Sequence, residues 1–428
     1  MTVAHPATAR RGLPLRAVLI AVIALYLIAE TALAPFLPQL FAHLYGIDDP
    51  GATGLYLWVC RIVGLIALPL WGLAARRRPL HQLVVTGLCA AAVVDVLLGF
   101  APSYTAFTAL SAASVAANAA LLLAYPAFIA EHTRKAAEEQ SDAEHAELAA
   151  VRSIVVVFHV AAVAATLVGA GVLALPDPRL GVSGFAVVDV LLAALIVRVL
   201  RRLPDERKQQ KPSTAPVRQR GGRRWWLLLA QAAVIGVAFD FAIAVARPFF
   251  TELAEGMGSG SIGGAVLFFL PSLAALAVLP ASRHCHDRYG HRLLPAAAVV
   301  CAAGFVWQYL ADGLVPLVCG RLLAGVGLGL LQVAVEMRMF HSTGTAGPAF
   351  TAVETVRSAG LLAAPLVSAA AVTHDLALPL TIAAAALGCV AAASLLRAAA
   401  PAPARTGPPP APAAPERPVT VPAKEYDR

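Results

Sequence analysis

Apolar residues fill twelve long runs along the chain, and polar residues collect in the gaps between them. The runs cover approximately 17–42, 53–75, 82–101, 104–127, 151–175, 182–200, 225–251, 260–281, 293–311, 314–336, 348–372 and 376–397. Each is close to or longer than the roughly 20 residues a helix needs to cross a bilayer. The alternating pattern of a membrane barrel strand is missing, and a helix is the other structure that satisfies its own backbone in lipid. The pattern therefore predicts an all-α membrane protein with twelve transmembrane helices.

The gaps test that count. With a cytoplasmic N-terminus, the odd gaps and even gaps fall on opposite sides. The outer gaps near 43–52, 102–103, 176–181, 252–259, 312–313 and 373–375 then carry a single basic residue, Arg179. About 28 of the 33 Lys and Arg residues fall on the inner side, as the positive-inside rule requires. A wrong count would scramble this alternation downstream of the error. Both termini are expected in the cytoplasm. The first run follows Arg10, Arg11 and Arg16, but it exceeds a signal peptide's apolar region and reads as a retained helix.

The gap from Arg198 to Arg224 is the longest basic one, and Lys208, Lys211, Pro212, Ser213 and Pro216 mark it as a polar linker. The expected organisation is a cytoplasmic tail at 1–16, a six-helix bundle at 17–200, a linker at 201–224, a second six-helix bundle at 225–397 and a Pro/Ala-rich disordered tail at 398–428. The segment 131–150 reads as an acidic, helical loop. Two short matches suggest that the halves repeat. Pro35-Phe36-Leu37-Pro38-Gln39-Leu40 resembles Pro248-Phe249-Phe250-Thr251-Glu252-Leu253, and Val151-Arg152-Ser153 recurs as Val356-Arg357-Ser358.

Composition changes this picture little. The chain is 59% apolar and 14% charged, against about a quarter charged in soluble domains, and its mean hydropathy is +0.73. The net charge of +8 could suggest nucleic acid, but the basic residues sit where topology needs them, so no nucleic-acid partner is expected. Arg outnumbers Lys by 29 to 4, which with abundant Ala suggests a bacterial coding sequence and the inner membrane. The six cysteines form no CxxC pair, and His284-Cys285-His286-Asp287 lacks convergent ligand spacing, so neither disulfides nor a metal are expected.

Two motifs carry a resemblance. Between runs eight and nine, Asp287-Arg288-Tyr289-Gly290-His291-Arg292 matches a D-R-x-G-x-R signature, with Gly permitting a tight turn and the Arg residues reaching helix ends or carboxylates. Its first-half counterpart, Gly72-Leu73-Ala74-Ala75-Arg76-Arg77-Arg78, keeps the leading Gly and the basic cluster but has Ala75 in place of the acid. In run ten, Arg321-Leu322-Leu323-Ala324-Gly325-Val326-Gly327 matches R-x-x-x-G-x-G. With twelve spans in a 6+6 plan, the chain resembles the major facilitator superfamily over about residues 15–398. The resemblance implies a latch at Gly72, Arg76, Asp287, Arg288, Gly290 and Arg292, joined here by Arg357 near the cytoplasmic end of run eleven. It departs at Arg283, where the family has Gly, and run five lacks the G-x-x-x-G-P-x-x-G-G signature of drug:proton antiporters.

Charged groups inside apolar runs are functional candidates. They are Glu30, Arg61, Asp95, His159, Asp189, Asp240, Arg247, Arg321, Glu354 and Arg357. At 1.5 Å per residue, Glu30 and Arg61 lie roughly 16 and 12 Å from the outer end, close enough to pair. Asp240 lies roughly 17 Å deep, with Arg247 two turns above it. In the family, helices 1, 4, 7 and 10 line the cavity, which implies cavity places for Glu30, Asp240 and Arg321. Glu30 or Asp240 is expected to carry a coupling proton, with Arg61 or Arg321 as counter-charge. Glu354 and Arg357 are expected to pair locally as i,i+3 neighbours. Asp95, Asp189 and His159 are expected to be structural. The expected function is alternating-access transport of a small solute by a monomer, proton-coupled and outward, with uptake as the alternative. A membrane sensor or assembly protein is the rival class. No catalytic set, ATP-binding loop or cofactor motif is present, so neither enzyme activity nor a cofactor is expected.

Overall fold

Proline divides the first apolar run into three pieces. Pro35 and Pro38 lack the N–H that would continue a helix, so α1 (Leu15–Thr31) gives way to a 3-10 turn (Ala34–Phe36) and then α2 (Leu37–Tyr45). Gly46 closes α2 at a φ of 65°, in the left-handed region that suits Gly. α3 (Pro50–Ala74) opens with Pro50 in its first turn, and the Asp49 carboxylate accepts from the Gly51 N–H at 2.9 Å. The seventh run breaks in the same way. Pro248 separates α8 (Arg223–Val245) from α9 (Phe250–Gly256).

The structure, a computed structural model, describes residues 15–75, 77–122, 143–200, 223–343 and 348–396. The tails, Arg76, most of the acidic 131–150 segment and the linker at 201–222 lie outside the described residues. The remaining helices are α4 (Leu80–Gly99), α5 (Tyr104–Leu122), α6 (Ala143–Leu173) and α7 (Pro178–Leu200) in the first half. The second half has α10 (Gly260–Val278), α11 (Ser282–Tyr289), α12 (Leu293–Tyr309), α13 (Leu314–Thr343), α14 (Pro348–Val372) and α15 (Leu378–Leu395). Ten segments are long and apolar enough to cross a membrane. One of them, Gly260–Tyr309, is 50 residues long and holds two crossings, α10 and α12, joined by the short α11. The 19-residue α5, packed against α3 and α4, completes twelve.

Packing repeats with an offset of six crossings. In the first half, crossing one packs on five and six, two on four, and three on four and six. In the second, seven packs on eleven and twelve, eight on ten, and nine on ten and twelve. The halves meet where crossing two packs on eleven and crossing five on eight and ten. Leu70, Val93, Leu180, Val187, Ile262 and Val299 all face outward, at 58–80% exposed. So large an apolar surface suits lipid and not water.

Candidate functional site

A guanidinium near the middle of the second half gathers three carboxylates. Arg357 on α14 donates from Nε to Asp240 Oδ2 at 2.8 Å and from Nη2 to Asp240 Oδ1 at 3.0 Å, a two-bond fork onto α8. Its Nη1 donates to Glu354 Oε1 at 2.9 Å, one turn back on α14. Both terminal nitrogens also reach Glu336 Oε1 on α13 at 3.2 Å. The Arg357 and Asp240 side chains are 10% and 14% exposed. Gly236, one turn before Asp240, makes the approach possible, because a Cβ there would collide with Arg357 Cγ. With every carboxyl ionised, the cluster carries three negative charges against one positive. Glu336 and Glu354 keep 23% and 39% exposure, so the excess weighs most on Asp240, where burial and charge favour a proton or other cation.

A second pair lies in the first half. Arg61 on α3 sits 3.6 Å from Glu30 on α1, and both are partly exposed, at 46% and 32%. Tyr26, one turn before Glu30, lies beside the same carboxyl group. The depth match read from the sequence thus corresponds to a contact.

Arg321 has other surroundings. Its Nε donates to the Leu267 carbonyl at 2.9 Å and its Nη2 to the Phe268 carbonyl at 2.6 Å. Its Nη1 approaches Gln308 Oε1 at 3.4 Å, and the guanidinium carbon stacks 3.8 Å from the centre of the Phe250 ring. Among the described residues no carboxylate bonds to it. Arg321 ties α9, α10, α12 and α13 together. The glycines of its motif serve the same packing: a Cβ at Gly325 would strike Pro271 on α10, and one at Gly327 would strike the Cys301 backbone on α12.

The remaining candidates separate by place. Asp240 meets Arg357, while Arg247 lies at the break between α8 and α9, 5.8 Å from the Phe268 ring centre. Asp95 on α4 accepts from Ser114 Oγ on α5 at 2.6 Å, and Asp189 on α7 reaches Asp95 and Asn118. Asp95 and Asp189 are both buried, away from the Arg357 cluster. His159 on α6 is 1% exposed, and neither ring nitrogen has a hydrogen bond.

In the expected latch, Gly290 adopts a φ of 48°, which Gly alone adopts without strain. Arg288 and Arg292 are exposed. Arg283, which replaces the family's Gly, lies 4.0 Å from Asp287 as an i,i+4 pair. Gly72 sits in the last turn of α3, with open space where a Cβ would go, and Arg76 lies outside the described residues. The broken crossings one and seven also meet. Thr251 Oγ1 donates to the Pro35 carbonyl at 2.6 Å, and Gln39 Nε2 donates to Thr251 Oγ1 at 3.0 Å.

Glu336 was not legible as a site residue, because it closes the tenth apolar run. The helix continues to Thr343, and buried Met337 and Met339 carry the apolar pattern past it. Those two residues are the signal that Glu336 lies within the helix.

No curated protein matches the chain in sequence. Among solved structures, the nucleoside transporter NupG superimposes with a TM-score of 0.63 at 12% identity, covering 89% of this chain and 98% of that one. The human organic anion transporter MFSD10 (TETRAN) gives 0.62 at 16% identity over the same shares. At these identities the likeness speaks for the fold. The sequence itself matches the Major Facilitator Superfamily profile over residues 19–365. That match spans most of both halves, and the chain belongs to the major facilitator superfamily.

Proposed function

We propose that this membrane transporter moves a small solute out of the cell by exchange with protons, and that Asp240 is the group that loads and releases the proton. The observation that carries this reading is Arg357 held by Asp240, Glu336 and Glu354. Three carboxylates share one guanidinium, and Asp240 is the most shielded of them, so the negative excess favours uptake of a cation such as a proton there. Asp240 makes the fork and joins α8 to α14, so a shift of either helix changes both its desolvation and its counter-charge. The Glu30–Arg61 pair is the first-half counterpart in this scheme. Arg321 holds helices together. Gly72, Arg76, Asp287, Arg288, Gly290 and Arg292 form the latch on the basic side. The distribution of basic residues supports cytoplasmic termini and the bacterial inner membrane as the location.

A counterflow screen in proteoliposomes carrying a pH-sensitive dye tests the reading. For an exporter, a transported solute leaves the compartment that gains protons. Solute and proton moving in the same direction would reverse the proposed exchange. Net solute flux down its own gradient with no proton movement would remove the coupling.

A further inference from the structure

The charge pair of the first half is built differently from the cluster around Arg357. Arg61 and Glu30 meet through one contact, Nη1 to Oε1 at 3.6 Å, with no fork. Among the described residues Arg61 donates no hydrogen bond, so most of its N–H groups have no acceptor in the protein. The two side chains are 46% and 32% exposed, against 10% and 14% for Arg357 and Asp240. Arg357 and Asp240 show how a pair that joins two helices closes on itself, with two bonds at 2.8 and 3.0 Å. The Glu30–Arg61 pair is loose and open by comparison.

Its exposure is not to lipid. Arg61 lies about three turns into α3 from Pro50, a depth at which a charged side chain faces the bundle interior or water. It sits two turns below Gly54 on the same stripe of the helix. Gly54 meets the other half there, because a Cβ at that position would collide with Ala369 of α14. Ile66, Leu70 and Leu73, at 55–60% exposed, mark the lipid face, about 120–180° round the helix from Arg61. Arg61 therefore looks toward the boundary between the halves, below the place where crossing two meets crossing eleven. Glu30, at the end of α1, reaches it from crossing one. The guanidinium and the carboxylate open together toward that boundary.

The geometry points to a subsite for a zwitterionic solute, with Arg61 taking its carboxylate and Glu30 its ammonium. A guanidinium with free N–H groups offers a carboxylate two parallel bonds, and a carboxylate accepts readily from an ammonium. The pair is neutral as a whole. A solute that carries both charges leaves it neutral. An anion alone meets the Glu30 charge, and a cation alone meets the Arg61 charge, each at a poorly solvated depth. The single contact at 3.6 Å is the one such a solute replaces. Its place at the boundary suits a ligand whose contacts change as the halves rock. The inference rests on the reading of the chain as a solute transporter, and it adds the class of solute. The part of the Glu30–Arg61 pair in that scheme is then to hold the solute, whatever ion is coupled to it.

Equilibrium binding to the detergent-purified full chain tests it, with no membrane or gradient present. Thermal stability is titrated with glycine, L-phenylalanine and γ-aminobutyrate, which differ in bulk and in the distance between their charges. Each is compared with its amide, which keeps only the ammonium, and with its N-acetyl form, which keeps only the carboxylate. At least one zwitterion is expected to raise the melting temperature saturably and to bind about tenfold or more tighter than either derivative. Arg61→Gln is expected to weaken it about tenfold and to erase its advantage over the amide. Glu30→Gln is expected to weaken it similarly and to erase its advantage over the N-acetyl form. A pair that only joined helices would change the melting temperature of the free protein and leave these ratios alone. Should Arg61→Gln fail to fold, Arg61→Lys, with a smaller loss, and Glu30→Gln carry the comparison. The proposal is overturned if no zwitterion in the panel binds, if a single-charge form binds as tightly as its zwitterion, or if the folded variants bind as tightly as the parent chain. A zwitterion bound here with no proton movement in vesicles would sink the coupling scheme and leave this subsite standing. Counterflow of a solute with a single charge sign, with no zwitterion bound, would sink the subsite and leave the transporter reading standing.

Discussion

Arg357 satisfies three carboxylates at once, and its loss leaves the largely shielded Asp240, 14% exposed, without its ion-pair partner. Breaking a buried ion pair by removing one member costs about 3–5 kcal/mol. Arg357→Ala is therefore expected to lower the melting temperature in detergent markedly. Arg357→Lys should recover part of the loss, because an ammonium keeps the charge but not the fork. An unchanged melting temperature for Arg357→Ala would mean the cluster holds nothing together. The sequence made part of this site legible. Glu354 and Arg357 are one helical turn apart, and helix geometry alone makes them neighbours. Glu30 and Arg61 could be matched by depth. Asp240 could not be matched to Arg357, which is 117 positions away, because the rotation of α8 and α14 about their own axes decides which faces meet. Composition and hydropathy leave that rotation open in helices as uniformly apolar as these.

Elements follow from local chemistry more directly. The prolines at 35, 38 and 248 break crossings one and seven at equivalent places, and the sequence match between those stretches marked the repeat. That the two breaks bond to each other through Thr251, Gln39 and Pro35 is a tertiary fact with no local signal. Glycine spacing in α13 foretold close helix approach. Gly327→Val is expected to force α12 and α13 apart and cost about 1–3 kcal/mol, as overpacking does, read as a lower melting temperature. Gly388→Ala, where a Cβ meets open space, should change little and serves as the control. Glu252 on α9 gives a pH test. Burial first, then Glu255 and Asp48, push its carboxyl up to about 7 from an ordinary 4.5. The folded chain thus holds this proton more tightly than the unfolded chain does. Its contribution to stability is complete below about 4.5 and is lost as pH rises through about 7. Glu252→Gln should raise the melting temperature at pH 8 and change it little at pH 5. An equal effect at both values would show that Glu252 does not titrate in this window.

At the scale of the whole molecule, the six-crossing offset in packing makes each half a repeat of the other, with the boundary between them formed by crossings one, two, five, seven, eight, ten and eleven. Under the proposed alternating-access scheme, that boundary opens on one side while it closes on the other. The Thr251–Gln39–Pro35 contact joins the halves at the breaks in crossings one and seven. Joining Gln39→Cys to Thr251→Cys with a short bifunctional thiol reagent, in a background lacking the six native cysteines, is expected to stop transport, and reduction to restore it. Transport that continues at full rate after complete cross-linking would exclude this contact from the cycle. The twelve crossings and the 6+6 plan were legible from hydropathy and loop charge, because lipid imposes length and topology imposes charge placement. The coupling scheme is the central claim, and Asp240 tests it most directly. In proteoliposomes with a lumenal pH dye, the parent protein should move protons whenever it carries out net solute transport. Asp240→Asn should abolish the proton signal and gradient-driven accumulation while solute counterflow persists. Proton movement of parental size in Asp240→Asn would contradict the account.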